Sequence, residues 1–409
     1  TESPAGLIGH ESAAPSAACA LGNGELTGDR TEHPIPGETR TMDFSLDEEQ
    51  SAIGELAGQV LGDHSTHEKL RALERSGEPR FDRELWAALA ETGVLGAFIP
   101  EEHGGAGLDL VALGIVLDHV GRTAAAVPIW ETFGLAVPAI AEFAPTAVAQ
   151  EVLSKVVTGE YVLSAAWHEA GGEPLGPVTV ATREDDSWVV SGSKTCVPAG
   201  QIADGILVPC AVRDGSVGLF LVRTDAEGVA VEPLVTTLGD PQAAVLFAEA
   251  PAVLIAEGRE SLRWAYERGL ATQCSVAVGN CAEALRLTAE YAKDRKQFDV
   301  PIASFQAVAH RLADSYVDTE AIRLTAQQAL WRLSTGMKAT AEVASAKYWA
   351  AFAGQRVVHT AQHVHGGVGV DRDYPLHRHF LAAKEVELQL GGATRQLLAL
   401  GKLIAAEPV

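Results

Sequence analysis

The sequence predicts an α+β protein in three parts, helical, then β, then helical, behind an unstructured tail. Three observations carry that reading. Over residues 42–159 apolar residues recur at helical spacing. Over 160–256 they fall in short β-branched runs divided by Gly, Asp and Ser. Over 257–409 helical spacing returns in long stretches, as in a helix bundle. At 409 residues the chain exceeds one ordinary core, which agrees with several domains.

Residues 1–41 are rich in Ala, Gly, Ser, Pro and Thr, and their apolar residues have no period, so a disordered tail is expected. The tail lacks the charged-then-apolar order of a signal peptide, and Glu2, Glu11, Glu25, Asp29, Glu32 and Glu38 argue against an Arg-rich transit peptide. The helical part then opens at "TMDFSLDEEQ", where Ser45 with Glu48 three residues on predicts a capping box. Ile53, Leu56, Val60 and Leu61 share one helical face, and Leu85, Leu89 and Gly93 share another, with Gly96 as its stop. "VTVATR", "SWVVSG", "GILVPCAV" and "VGLFLVRT" predict strands of a small β-domain or barrel. Long helices are predicted over 257–293 and 302–334.

Composition narrows the function. Lys+Arg number 31 against 54 Asp+Glu, a formal charge of −23, which repels phosphate backbones and anionic lipid. Nucleic acid and membrane surfaces are therefore not expected partners. No uncharged apolar run approaches the roughly 18 residues of a spanning helix. The five cysteines, Cys19, Cys196, Cys210, Cys274 and Cys281, are odd in number and form no C-x-x-C, the usage of reduced thiols in a cytoplasmic protein.

Two stretches stand out. "YAKDRKQFDVPIASFQ" crowds Arg295, Gln297 and Phe298 at a helix end just before Pro301. "HVHGGVGVDRDYPLHRHF" carries Gly366 and Gly367, which let backbone approach a ligand closely or simply make a tight turn between helices. Since no strand precedes it, this is not a dinucleotide fingerprint. His359, His363, His365, His377 and His379 have no carboxylate or thiol at matching spacing and H-E-x-x-H is absent, so no metal site is expected.

These stretches, followed by "LGGATRQLLALGKL", resemble in order and spacing the acyl-CoA dehydrogenase family. "MDFSLDEEQ", "LRLTAEYAKDRKQF" and "YPLHRHF" are most similar to the smaller, base-lacking subunit of actinobacterial heteromeric steroid side-chain dehydrogenases. The resemblance implies the family's three-domain fold, FAD as cofactor, an acyl-CoA substrate and a flavin-type electron acceptor. It implies that Arg295, Gln297 and Phe298 reach across a subunit interface to the adenosine-diphosphate part of FAD held mainly by a neighbour. Gly366 and Gly367 come close to the same cofactor. His363 stands where the family has glutamine, and Asp299 where it has glycine.

The departures from the family pattern concern the chemistry. The family removes an α-proton with a glutamate while the β-hydride passes to flavin. Its two base positions correspond here to Gly391 and Gly269. Glu267 and Glu387 lie nearby but off register, since two residues along a helix rotate a side chain by about 200°. "WHEAGGEPLG" and "CVPAG" replace the flavin-contacting stretches, with Cys196 for a shielding tryptophan and Pro198 for a bonding threonine. The expectation is thus a heterotetramer of lipid and steroid metabolism, in which this chain completes the FAD site of a homologous, glutamate-bearing subunit. The alternatives are a self-sufficient homomer with a relocated base and a non-catalytic scaffold or acyl-CoA-binding protein.

Overall fold

The computed structural model describes Met42 and residues 44–185, 187–213 and 215–406. The tail expected over 1–41 lies outside the described residues.

Helix α1 (Glu48–His64) opens on Asp47 rather than Ser45. The Asp47 carboxylate accepts from the Gln50 backbone N–H at 2.7 Å, and the Gln50 side-chain oxygen accepts from the Asp47 N–H at 3.2 Å. The capping box exists, but two residues later, because Asp and Ser are equivalent caps and the sequence offers both. Helices α2 (His67–Arg75) and α3 (Arg83–Glu91) follow. The left-handed Gly93, φ +82°, follows the end of α3, whereas Gly96 begins a 3₁₀ turn. Helix α4 (Leu110–Thr123) buries Leu113, Val116, Leu117 and Val120. A π-helical segment (Trp130–Ala136) leads into α5 (Val137–Phe143) and α6 (Thr146–Val157).

Strands β1 (Leu163–Ala165), β2 (Val180–Glu184), β3 (Ser187–Val197), β4 (Gly205–Val212), β5 (Val217–Arg223), β6 (Val229–Pro233) and β7 (Ala243–Glu257) form one sheet. Its order is β1-β4-β2-β3-β7-β5, and β5 also pairs with β4, so the sheet closes into a barrel. Val190, Ile206, Val208, Phe220, Val245 and Phe247 fill its interior. Strand β7 makes the closure: one edge carries β3, the other β6 and then β5.

Helix α7 (Gly258–Asp294) is followed by strands β8 (Lys296–Gln297) and β9 (Val300–Pro301), then α8 (Gln306–Ser334), α9 (Thr340–His365), α10 (Leu376–Leu388) and α11 (Ala393–Ala406). No helix among the described residues is long and apolar enough to cross a membrane.

The three parts meet at a polar junction. From the N-terminal helices, Arg80 donates to Asp240 at 2.8 Å and to the Ala124 carbonyl at 2.6 Å. Beside Asp240, Gln242 and Gln389 both donate to Glu385. Gln273 donates to Gln389 at 2.6 Å and accepts from the buried Lys347 at 2.7 Å. A cavity of about 100 Å³ opens among Arg80, Glu131, Asp240, Gln273 and Glu385. Burial first, and then the Asp240 carboxylate, push Glu385 above the usual carboxyl range, and burial pushes Glu131 up to about 8. A carboxyl whose folded pKa is raised stabilises the fold below its unfolded value, and that contribution is lost as pH rises through the folded pKa. Glu131→Gln removes this loss. The variant's unfolding free energy should match wild type near pH 4.5 and exceed it increasingly up to about pH 8, by roughly 1.4 kcal/mol per pH unit, read as a widening gap in thermal midpoint. A pH-independent difference between the two would show that Glu131 ionises freely in the fold.

Candidate functional site

The last turn of α7 gives way to a tight hairpin. Arg295 caps the helix, its N–H donating to the Tyr291 carbonyl at 2.8 Å, and its own carbonyl accepts from Ile302 at 2.8 Å. Lys296 pairs with Pro301 and Gln297 with Val300, leaving Phe298 and Asp299 as a two-residue turn with φ +54° and +64°. Two positive φ values define a type I′ turn, normally built from Asn and Gly. Asp299 thus keeps the turn that glycine makes elsewhere. Phe298 has no such tolerance, and a left-handed residue of its kind costs about 1–2 kcal/mol. The residue is nevertheless 88% exposed, and its ring meets Phe305 edge-on at 6.2 Å. The exposed Arg295 guanidinium has no side-chain partner among the described residues, and Gln297 donates only to the neighbouring Lys296 carbonyl.

The double glycine comes to the same end of the bundle. His365, the last residue of α9, stacks on Tyr291 of α7 with ring centroids 4.4 Å apart. Gly366 follows with φ +61° and ψ −133°, a conformation open only to glycine. Gly367 is different: its φ is not positive, and a Cβ there would meet nothing within 4 Å. Neither backbone nor packing in this chain demands glycine at 367. Such a site fits close approach by something outside the chain. His363 is exposed beside them. The cofactor-clamp residues named from the sequence therefore share one solvent-facing end. A cavity of about 470 Å³ borders the turn, lined by Gln362, Gly369, Val370, Arg372 and Phe380.

The histidines are otherwise engaged. His379 bonds Asn280 at 2.8 Å and His377 bonds the Tyr374 carbonyl at 2.7 Å. Among the described residues no three His, Cys, Asp or Glu side chains come together to hold a metal.

The two base positions are adjacent but filled. A Cβ on Gly269 would fall 2.6 Å from Leu135 and 3.6 Å from Leu390, and the Gly269 carbonyl accepts from the Trp130 indole at 3.0 Å. A Cβ on Gly391 would fall 2.4 Å from Arg395. Glu267 points instead to Thr340, where burial raises its pKa, and Glu387 pairs with Lys384. Neither carboxylate is among the atoms nearest a Cβ at Gly269 or Gly391.

The strands' side of the crevice is closed by the chain itself. Cys196 is exposed with φ +49°, and Pro198, which has no N–H, accepts from Ser164. Leu390 donates its N–H to His168 at 3.1 Å, and its carbonyl accepts from Tyr266. Arg395 reaches across Gly391 to Glu173. The sequence reading missed the pair beneath: buried Lys194 meets buried Glu169 at 2.9 Å, and Glu169 also accepts from the Val178 and Thr179 N–H groups. A buried lysine needs such a partner, but the 24 residues between them hide it from local pattern. Arg295, Phe298 and Gly367 thus leave a cation, a ring and a bare backbone facing solvent, while Pro198 offers no backbone donor.

A barrel between two helical parts, with an arginine–phenylalanine hairpin and a double glycine at one end of the bundle, defines a flavin-dependent dehydrogenase scaffold. The family models for the acyl-CoA dehydrogenase N-terminal, middle and C-terminal domains match residues 47–160, 168–248 and 256–403. The chain belongs to the acyl-CoA dehydrogenase family, FAD-using oxidoreductases that act on CH–CH groups. It is 40% identical to acyl-CoA dehydrogenase FadE27 of Mycobacterium tuberculosis, over 90% of this chain and all of that one. Among solved structures it is similar to the ChsE4–ChsE5 complex of Mycobacterium tuberculosis (39% identity, TM-score 0.85, covering 90% of this chain and 100% of that one). It is likewise similar to a variant of the Tcur3481–Tcur3483 steroid acyl-CoA dehydrogenase (41%, TM-score 0.83, covering 88% and 98%). Butyryl-CoA dehydrogenase of Megasphaera elsdenii, at 24% identity, shares the fold (TM-score 0.80, 89% and 100%).

Restoring a base should therefore fail in this chain. Gly269→Glu forces Leu135 or Leu390 aside, overpacking that costs about 1–3 kcal/mol. The expected outcome is a lower thermal midpoint and no acyl-CoA oxidation by the chain alone. An unchanged midpoint in a melting experiment would show that the space is open.

Proposed function

We propose that this chain is the accessory subunit of a cytoplasmic heteromeric acyl-CoA dehydrogenase, completing the FAD site of a homologous partner that carries the glutamate. One observation carries this: Phe298 is held exposed in a left-handed turn beside Arg295, whose guanidinium has no partner among the described residues, a strained arrangement that nothing among those residues uses. Gly367, glycine without an internal reason, supports it from the opposite side. Arg295 offers a fixed fork of donors to the pyrophosphate, and Phe298 covers the adenosine. FAD supplies the hydride acceptor, and the partner's glutamate takes the α-proton. A heterotetramer with one FAD per pair of chains follows, feeding electrons to a flavin-type acceptor. The likeness to a steroid acyl-CoA dehydrogenase and to a two-chain complex supports a polycyclic, steroid-type acyl-CoA as its substrate.

Arg295→Ala removes charge-assisted hydrogen bonds worth roughly 1.5–3 kcal/mol each. The complex should lose FAD on dilution, with affinity down at least about tenfold, while its subunits stay assembled. Gel filtration with flavin absorbance reads both at once. Full flavin retention would make Arg295 a surface residue without a cofactor role.

A further inference from the structure

We propose that His365 is the positioning residue of the cofactor clamp: a buried imidazole, stacked on Tyr291 and bonded to Tyr374, that fixes the distance between Arg295 and the Gly366–Gly367 turn. The proposal rests on the accessory-subunit reading and adds what holds the two halves of the clamp together.

The two halves come from different elements. Arg295 and Phe298 leave the end of α7, and Gly366 and Gly367 leave the end of α9. His365 is where the ends touch. It is 3% exposed. Its ring stacks on Tyr291 at 4.4 Å with an interplanar angle of 25°, and meets Tyr374 in a tilted contact at 5.2 Å. Tyr291 in turn accepts the Arg295 N–H through its carbonyl, so the stacked residue lies one turn from the guanidinium. Gly366 is the next residue after His365.

Both ring nitrogens are used, which fixes the ring's rotation as well as its place. Nδ1 lies 2.8 Å from the Ala361 carbonyl, which can only accept, so Nδ1 carries the proton. Nε2 is then the acceptor for the Tyr374 hydroxyl at 3.1 Å. Burial holds the imidazole's pKa below its ordinary value and keeps this neutral tautomer. Leucine in its place would match much of the volume and lose both bonds, freeing the turn to move against α7. Phe298 and Gly367 would then no longer face one ligand at a fixed spacing.

The test is a double-mutant cycle in the complex of this chain with its glutamate-bearing partner, reading FAD affinity by flavin fluorescence and assembly by sedimentation. His365→Leu should weaken FAD about tenfold with assembly unchanged. In the Arg295→Ala background the same change should weaken it by no more than about twofold, because a positioning residue acts through the group it positions. Tyr374→Phe, which keeps the ring and loses one bond, should give a smaller effect in the same direction and serves if the leucine variant does not fold. Unchanged FAD affinity in both single variants at His365 and Tyr374, with Arg295→Ala still damaging, overturns the positioning role alone. Equal losses in both backgrounds overturn it too, since a general structural role is additive. No effect of Arg295→Ala overturns the accessory role beneath it.

Discussion

Helix α7 is placed by a backbone crossing that admits no side chain. A Cβ on Gly279 would lie 1.8 Å from the Asp118 carbonyl, and one on Gly121 would lie 2.2 Å from the Val276 carbonyl. Helices α4 and α7 therefore meet backbone to backbone. Helix α7 has 37 residues and so spans about 55 Å. Once its middle is pinned, both of its ends are set. One half carries Gly269, packed against Leu135, and the other ends at Arg295 in solvent.

The two ends have opposite character. Around Gly269 the neighbours are close: Leu135 and Leu390 fill the volume, Trp130 occupies the carbonyl, His168 and Arg395 tie the neighbouring stretch to the β-domain, and Tyr266 ties it to α7 itself. Around Arg295 the groups are exposed, Phe298 sits on a left-handed backbone, and the guanidinium has no partner among the described residues. A folded chain hides apolar rings and satisfies buried polar groups where it can. A ring left 88% exposed on a left-handed backbone is better explained by something that covers it than by the chain itself.

Much of this was legible in the sequence. Helical spacing placed α1, α3, α7 and α8, and β-branched runs gave β2 to β5. Strand β7 was not seen, because "AAVLFAEAPAVLIAE" is Ala-rich and interrupted by Pro251, and its identity as a strand comes from pairing with β3, β5 and β6 far along the chain. The departures at Gly269, Gly391, Cys196 and Pro198 could be read by position alone. What replaced the lost contacts could not. The His168–Leu390 bond, the Arg395–Glu173 bridge and the Glu169–Lys194 pair each join residues brought together only by the tertiary fold. The polar junction of Arg80, Asp240, Glu385 and Gln389 was invisible for the same reason.

The central claim is that this chain lends a cofactor clamp and keeps no flavin of its own. Flavin absorbance tests it most directly, measured on the purified chain alone and on the same chain co-expressed with its glutamate-bearing homologue. The account predicts a colourless lone chain and a yellow complex holding one FAD per pair of chains. A lone chain with stoichiometric flavin and acyl-CoA turnover would contradict it.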